Sequence, residues 1–554
     1  MDLSNYPYTN WVIAGILGFF AVRLAIGYWA ARHVSNASDY IVAGRGLPIY
    51  MTSASIMATW FAAETLMGAS TEGYLHGFQG VIFDPFGAVL CLLVSGMFFI
   101  RLMRRARYLT LVDFFEKRFG KEACLIGAFV QMIAYVVWTA AQFVAGSVVV
   151  HTLLGWPPWV GVLLVGVIVT GYTTMGGMLA DTLLDFIQMF FTAGGISVVF
   201  AYVLHAAGGI DGLVNHGGTR FVPEPFNLLP MAEPHGFLGY NGHMGICYWI
   251  AAWLTIGLGS VATQDLMQRS MSARNEATAV WGSYFAALLY FVFGVMSPLV
   301  GILLHKISPG IDGKEQLEGL LVMASQKYLP VWLNVLFIAA LTSAMMSTSD
   351  SAILAGASVF TENVLPFFHK RVDDVQKLWW TRVMVVVIGI GCIGLAIIIG
   401  DTYRLALMAW SLPLVGMFTP FAFGMYWNSA NRFGAIASIV GGIVAWFVAT
   451  ACYYPHTAAM HIVDGEVERT EAMWDAVRIG SLPALIVSIL LMIVVSLATQ
   501  KKSPPLPLTD VDGQPLALDN RLGIVSLWDV FRKAGPTTES AEPKRAPNGP
   551  AASS

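Results

Sequence analysis

The stretch 341–363, LTSAMMSTSDSAILAGASVFTEN, ends an apolar helix that begins near Trp332 and concentrates the residues best suited to chemistry. Helical spacing puts Ala344, Ser347, Thr348, Ser351, Ala355 and Ser358 on one small, oxygen-rich face. In a lipid-grade sequence such a face turns toward protein, water or an ion, because hydrocarbon offers hydroxyls nothing. Asp350 follows Ser347 by three residues, so one helix offers a carboxylate and several hydroxyls to a hard cation, which takes oxygen ligands. Helix packing accounts for the serines alone equally well, since small residues let membrane helices approach closely. The intramembrane carboxylate tips the reading toward an ion.

Two other stretches place polar groups where lipid is expected. The second apolar run reads SASIMATWFAAETLMGAS, with Thr59 and Glu64 at its middle, and the seventh reads YWIAAWLTIGLGSVATQD, with Gly257, Gly259 and Ser260 deep in the span. Polar or glycine-broken helices in matching positions of two halves point to a transporter of inverted repeats with its solute at the breaks. Asp84 adds an acid inside the third run, followed by a helix-kinking Pro85.

Composition fixes the setting for these residues. Hydrophobic residues make up 56% and charged residues 12% of 554 positions, and the mean hydropathy of +0.66 excludes an ordinary soluble chain. Runs long enough to span a bilayer fall near 9–31, 50–72, 80–102, 123–152, 157–174, 179–206, 241–263, 277–304, 331–362, 380–400, 403–427, 433–452 and 478–499. These thirteen helices place the two ends of the chain on opposite sides. Arginines and lysines crowd alternate loops (Arg101, Arg104, Arg105, Arg107, Lys117, Arg118 and Lys121 in one of them), and this bias predicts the N-terminus outside and the C-terminus in the cytoplasm. The division expected is a leading helix and first cytoplasmic loop (1–49), a ten-helix core (50–427), two trailing helices (428–500) and a tail (501–554). Rich in Pro, Ser, Ala and charge, the tail reads as mostly disordered, with a short amphipathic segment at Ser526 to Lys533. Five scattered cysteines read as small apolar residues, and the first run, lacking a basic leader, as a retained helix.

Three motifs resemble the sodium:solute symporter family: GYTTMGGMLADTLLDFIQMFF at 171–191, SAMMSTSDSAIL at 343–354 and ATWFAAETLMGASTEGYLHG at 58–77. The resemblance implies an all-α, LeuT-like five-plus-five inverted repeat, alternating access and coupling to Na+. It also implies a principal sodium site on the backbone carbonyls of Ala58 and Phe61, with Ala344, Ser347 and Thr348 opposite. A second sodium position would fall on Asp185, Ser347, Asp350 and Ser351. Asp185 has an alternative role in bracing the bundle, and Asp181 reads as an N-terminal cap of its helix.

For the solute, Thr59-Trp60 and Trp138 resemble two tryptophan positions of the family's choline-transporter branch, where aromatic faces hold a quaternary ammonium by cation–π attraction worth about 2 kcal/mol or more when desolvated. Thr263 stands where that branch has another tryptophan, and Ala88 where it has a tyrosine. Asp84 and Glu64 are acids suited to anchoring a cationic or amino-bearing solute; a helix-start cap and a buried hydrogen-bond network are their alternatives. Tyr248, Trp249 and Trp253 are candidates to close the pocket from the other side.

The expected function is sodium-coupled import of a small organic solute, a cationic or quaternary amine first, across the plasma (cell inner) membrane. The alternatives are a symporter for an amino acid such as proline or for a monocarboxylate, a proton-coupled carrier using Asp350, Asp185 or Glu64, and a membrane sensor without net transport. No catalytic constellation, transition-metal cluster or nucleic-acid-binding pattern stands out, and oligomeric state is not readable.

Overall fold

The computed structural model describes residues 8–31, 42–174, 178–215, 217–369, 373–463 and 466–531. Among the described residues, ten helices are long and apolar enough to cross a membrane. With two shorter apolar helices and one broken helix they make up the thirteen segments expected. In chain order these are α1 (Thr9–Ala31), α2 in two halves (Ile49–Trp60 and Ala69–Gly80), α3 (Ile82–Ala106), α4 (Lys121–Leu154), α5 (Pro158–Thr173) and α6 (Met178–Ala206). Then come α7 in two halves (Gly242–Gly259 and Gln264–Met271), α8 (Glu276–Ile307), α9 (Val331–Phe368), α10 (Asp374–Ile399), α11 (Thr402–Tyr426), α12 (Arg432–Met460) and α13 (Arg469–Thr499). Several run beyond their apolar stretch, since helix geometry continues after hydrocarbon ends: α13 starts at Arg469, where hydropathy alone predicts 478.

The two breaks arise differently. In α7 the first half ends at Gly257, Leu258 and Gly259, a single turn follows (Ser260–Ala262), and Thr263 is extended at φ −123° and ψ 148° before the second half begins. In α2 no Gly or Pro marks the interruption. Phe61 leaves the helix at φ −82° and ψ 63°, and the amide of Ala62 bonds the carbonyl of Trp60 at 2.9 Å, whereas an α-helical ladder would send it to Ala58. Side chains from other helices satisfy the freed groups, as a low-dielectric interior demands: Thr348 donates to Thr59 O at 2.9 Å, Tyr290 to Trp60 O at 3.1 Å, and the Ala63 amide donates to Gln142 at 3.3 Å.

The arginine-rich loops gather on one face. Leu47 pairs with Ala273, Arg104 donates to Ala273 O at 2.6 Å, and the short helix Leu111–Phe119 opens on a capping box between Thr110 and Asp113. The segment 503–531 also lies here, ordered where its composition reads as disordered. Val511 donates to Ala106 O at 3.0 Å, Asp510 meets Arg107 at 3.5 Å, Arg105 donates to Asp519 O at 3.0 Å and Trp281 to Val525 O at 3.1 Å. Cationic side chains at the helix ends and the backbone carbonyls of a proline-rich strand satisfy one another, so the segment is held without an apolar core of its own. Within it 527–530 form a single turn, and the remainder of the amphipathic stretch and the tail from 532 lie outside the described residues.

On the opposite face the 207–240 loop folds over α2, with Gln79 donating to Leu229 O at 2.7 Å. α12 and α13 pack through small residues: Ser438 and Ser488 hydroxyls lie 2.8 Å apart, and a Cβ on Gly434 would meet Ser496 Oγ at 1.9 Å.

Candidate functional site

The end of the first half of α2 is joined to the second half of α7 by the hydrogen bond from Trp60 to Asp265, and two groups of acids flank the α2 break. The first lies where α2 meets α6 and α9. Ser347 donates to Asp185 Oδ1 at 2.9 Å, and Ser55 donates to Asp185 Oδ2 at 2.7 Å. Thr348 reaches across to Thr59 O, one residue past Ala58 and two before Phe61. Ala58, Phe61, Ala344, Ser347 and Thr348 are all buried. Of the α9 stripe, Ser347 thus faces Asp185 of α6 and Thr348 faces the end of the first half of α2.

The second sodium set is divided. Asp185 and Ser347 meet, but Ser351 donates to Asp181 Oδ2 at 2.7 Å and accepts from Arg269 at 2.7 Å. Asp350 turns the other way and pairs with Arg23 of α1, while Tyr172 donates to it at 3.1 Å. Arg23 also donates to Ser343 O at 3.2 Å and lies 4.9 Å from the centroid of the Tyr172 ring. Asp181, expected as a cap, instead forms a buried ion pair with Arg269 at 2.8 Å; Arg269 stands 3.7 Å from Asp185. The charge on this side is thus mostly answered by two arginines.

The second group of acids lies on the other side of the α2 break. Trp138 donates its indole N–H to Glu64 Oε1 at 2.8 Å and Gln142 donates to Oε2 at 2.7 Å. Thr65 and Tyr290 donate to Asp84 at 2.5 and 2.9 Å. Asp84 is therefore no helix-start cap: at φ −149° and ψ 124° it sits in a kink, buried, with its carboxylate turned to α2 and α8. Trp60 donates to Asp265 Oδ2 at 2.6 Å and Tyr135 to Oδ1 at 2.8 Å. Trp410 of α11 joins the two expected tryptophans, its ring centroid 4.6 Å from that of Trp138 and 6.1 Å from that of Trp60. Among the described residues, none of these three carboxylates forms an ion pair with a Lys, Arg or His side chain; Arg269 reaches only the backbone carbonyl of Asp265, at 3.3 Å.

Thr263 lies at the α7 break, where its hydroxyl donates to Ser260 O at 2.7 Å. Tyr248, Trp249 and Trp253 do not close the pocket. Tyr248 bonds Asp475 of α13 at 2.7 Å, Trp249 bonds Leu228 O at 2.8 Å and Trp253 packs on Phe86. Sequence reasoning missed Asp265, Trp410, Tyr135 and Tyr290. A signal existed for Asp265, an acid five residues beyond Ser260 at the predicted break and two beyond the end of the predicted span; the aromatics sit in ordinary apolar runs.

A model of the sodium:solute symporter family matches residues 40–442. The chain belongs to this family. The human high affinity choline transporter 1 is 25% identical over 451 residues, which cover 78% of this chain and 75% of the relative. The human sodium-coupled monocarboxylate transporter 1 is also 25% identical, over 474 residues, covering 80% and 74%. Among solved structures, a Na+-coupled sialic acid symporter in a substrate-bound outward-open state superposes with a TM-score of 0.71 at 18% identity, over 90% of this chain and 99% of that one. The nucleobase-cation-symport-1 family transporter Mhp1 superposes at 0.52 and 14%, over 85% and 97%. The fold is accordingly the all-helical, LeuT-like transporter fold, and Na+ is the family's coupling ion.

Proposed function

We propose that the protein is a symporter that imports a small organic cation by alternating access, driven by sodium. One observation carries the reading: Glu64, Asp84 and Asp265 are buried and, among the described residues, accept side-chain hydrogen bonds only from neutral donors, the indoles of Trp138 and Trp60 among them. Buried carboxylates of this kind call for a cation, and the tryptophan faces suit an ammonium group. An anion such as a monocarboxylate would meet these acids with, among the described residues, no Lys, Arg or His side chain ion-paired to them.

Sodium binds between the carbonyls of Ala58 and Phe61 and the α9 residues Ala344, Ser347 and Thr348, joins the two sides of the bundle and fixes the break that carries Trp60 and Glu64. Solute affinity rises, and by reciprocity solute raises sodium affinity by the same factor. A second sodium would draw on Asp185 and Ser347, and on Asp350 and Ser351 only after Arg23 and Arg269 move away. Residues 50–427 form the moving core, and the arginine-rich face is the cytoplasmic face of the plasma (cell inner) membrane, with the N-terminus outside.

The test is uptake into proteoliposomes carrying the full chain, with labelled choline and labelled short amines, with and without a sodium gradient. Sodium-dependent accumulation of an amine supports the reading. Accumulation that follows a pH gradient without sodium, or that occurs only for carboxylates or sugars, contradicts it.

A further inference from the structure

The amphipathic stretch that begins at Ser526 belongs to a longer path, described as far as Phe531. From the arginine-rich face the chain runs inward along α3. Arg105 donates to the carbonyls of Ala517 and Asp519 at 2.5 and 3.0 Å, Arg101 donates to that of Leu522 at 3.0 Å, and the Gly523 amide donates to Met97 O at 2.6 Å. Positions 105, 101 and 97 lie on successive turns of α3, each further from its charged end. The chain then turns back along α8. Trp281 donates to Val525 O at 3.1 Å, Asn275 to Asp529 O at 3.5 Å, and Arg274, just before α8, to Val530 O. Met97 and Trp281 both lie inside the apolar runs of their helices, 80–102 and 277–304, so the bend at Gly523 to Val525 reaches below the arginines.

Irregular backbone at membrane depth has to find its partners in protein. Here Leu522 O, Gly523 N and Val525 O all do, and the Tyr284 hydroxyl donates to Gly523 O at 3.2 Å. The fit requires glycine, because a Cβ on Gly523 would meet Gly96 O at 2.0 Å. The side chains divide by face. Val525 packs inward and Val530 is fully buried, whereas Ile524, Trp528 and Phe531 are 75%, 80% and 66% exposed, and Leu522 and Leu527 are exposed as well. The rings of Trp528 and Phe531 lie 6.4 Å apart. So many large apolar side chains exposed together mark a contact surface. What covers it follows from α8: Trp281 shares its helical face with Phe285, Leu288 and Val292, and the last two are exposed where α8 crosses the membrane. The bend is bonded to the charged end of that lipid-facing stripe, and a tryptophan, apolar in its rings and polar at its N–H, suits the boundary.

We infer that residues 522–531 are a re-entrant membrane anchor. The chain dips between α3 and α8, spends its backbone groups on them, and lays Ile524, Leu527, Trp528 and Phe531 into the leaflet on the arginine-rich side. The partner is the lipid itself, at the boundary of headgroups and acyl chains, where amphipathic segments rich in Trp, Phe and Leu bind. The anchor serves whatever solute is carried.

The experiment uses the full-length protein in proteoliposomes, with Cys247 and Cys452 replaced by Ser and the other three cysteines buried. A single nitroxide is attached at Ile524→Cys, Trp528→Cys or Phe531→Cys, or at Asp512→Cys as a reference on the same segment, where the side chain is 60% exposed. Power-saturation spectra give the ratio of collisions with oxygen, which concentrates in lipid, to collisions with a neutral nickel chelate, which stays in water. The ratio at Ile524 should exceed that at Asp512 at least about fivefold and fall through Trp528 to Phe531. Three separate positions on the exposed face guard against a label that disturbs folding at one of them. Ratios at Ile524 and Trp528 equal to that at Asp512 overturn the inference, because the segment then faces water. Suppressed collisions with both reagents overturn it too, because a second copy of the chain or another protein then covers the face. A ratio that rises from Ile524 to Phe531 overturns the re-entrant path.

Discussion

The two groups of acids beside the α2 break differ in what answers them. Toward α1, α6 and α9, Asp350 faces Arg23, and Asp181 and Asp185 face Arg269. Toward α3, α4 and α7, Glu64, Asp84 and Asp265 face indole, phenol, amide and hydroxyl groups. Charge met by a fixed partner holds helices together; charge left to neutral donors is available to a mobile cation. On the reading proposed above, the first side takes one small ion near Ser347 and Thr348, and the second takes the solute.

The comparison breaks most completely at its sodium side. Ser347→Ala should abolish sodium stimulation of uptake, a loss of more than about tenfold, in a protein that still elutes as a folded species; unchanged sodium dependence would remove the hydroxyl from the site. Next, Arg23→Met strands Asp350 in the bundle, and breaking a buried pair from one side costs about 3–5 kcal/mol, read as a large drop in thermal stability. The double variant Arg23→Met with Asp350→Leu should recover most of that loss, since the pair as a whole contributes little. Failure to recover would mean that Asp350 has a role beyond structure.

On the solute side Trp410→Ala should weaken amine binding by about 2 kcal/mol, roughly thirtyfold, on the scale of one desolvated aromatic face, with sodium binding in the absence of solute changed far less. Equal losses for both ligands would reduce Trp410 to packing. The smallest effect lies away from both groups. His461 is bonded to Asp475 at 2.8 Å, and this bond holds its imidazole pKa above the ordinary value. The contribution is complete below the unfolded value near pH 6.5 and disappears as pH rises through the higher folded value. The melting temperature should therefore fall by about a degree or two more in wild type than in His461→Gln across that interval, while amine selectivity stays the same.

Much of this architecture is legible in the residues. Hydropathy places the thirteen apolar segments, because lipid leaves the backbone no alternative, and the glycines of α7 mark one break. The break in α2 has no such mark. Phe61 and Ala62 would continue a helix in isolation, and Thr348, Tyr290 and Gln142, distant in sequence, take up the freed backbone groups; the polar Thr59 and Glu64 at mid-span point to it, and the resemblance of motifs narrows it. Ser347 and Thr348 are conspicuous by their helical spacing, although packing accounts for the serines alone equally well. Trp410 is not, because one tryptophan in an apolar run reads as packing. Asp350 shows the limit of reasoning from single residues: the carboxylate is conspicuous, but its partner Arg23 lies on the leading helix, 327 positions away. The segment 503–531 reads as disordered from composition and is ordered by arginines belonging to helix ends elsewhere.

The most direct measurement is the current that proteoliposomes on a solid-supported membrane give when an amine arrives with or without sodium. Choline and butylamine would be applied in turn to wild type and Ser347→Ala. The account predicts a positive charge movement that requires amine and sodium together and vanishes in the variant. A current of equal size without sodium, or one evoked by a carboxylate and by neither amine, would contradict it.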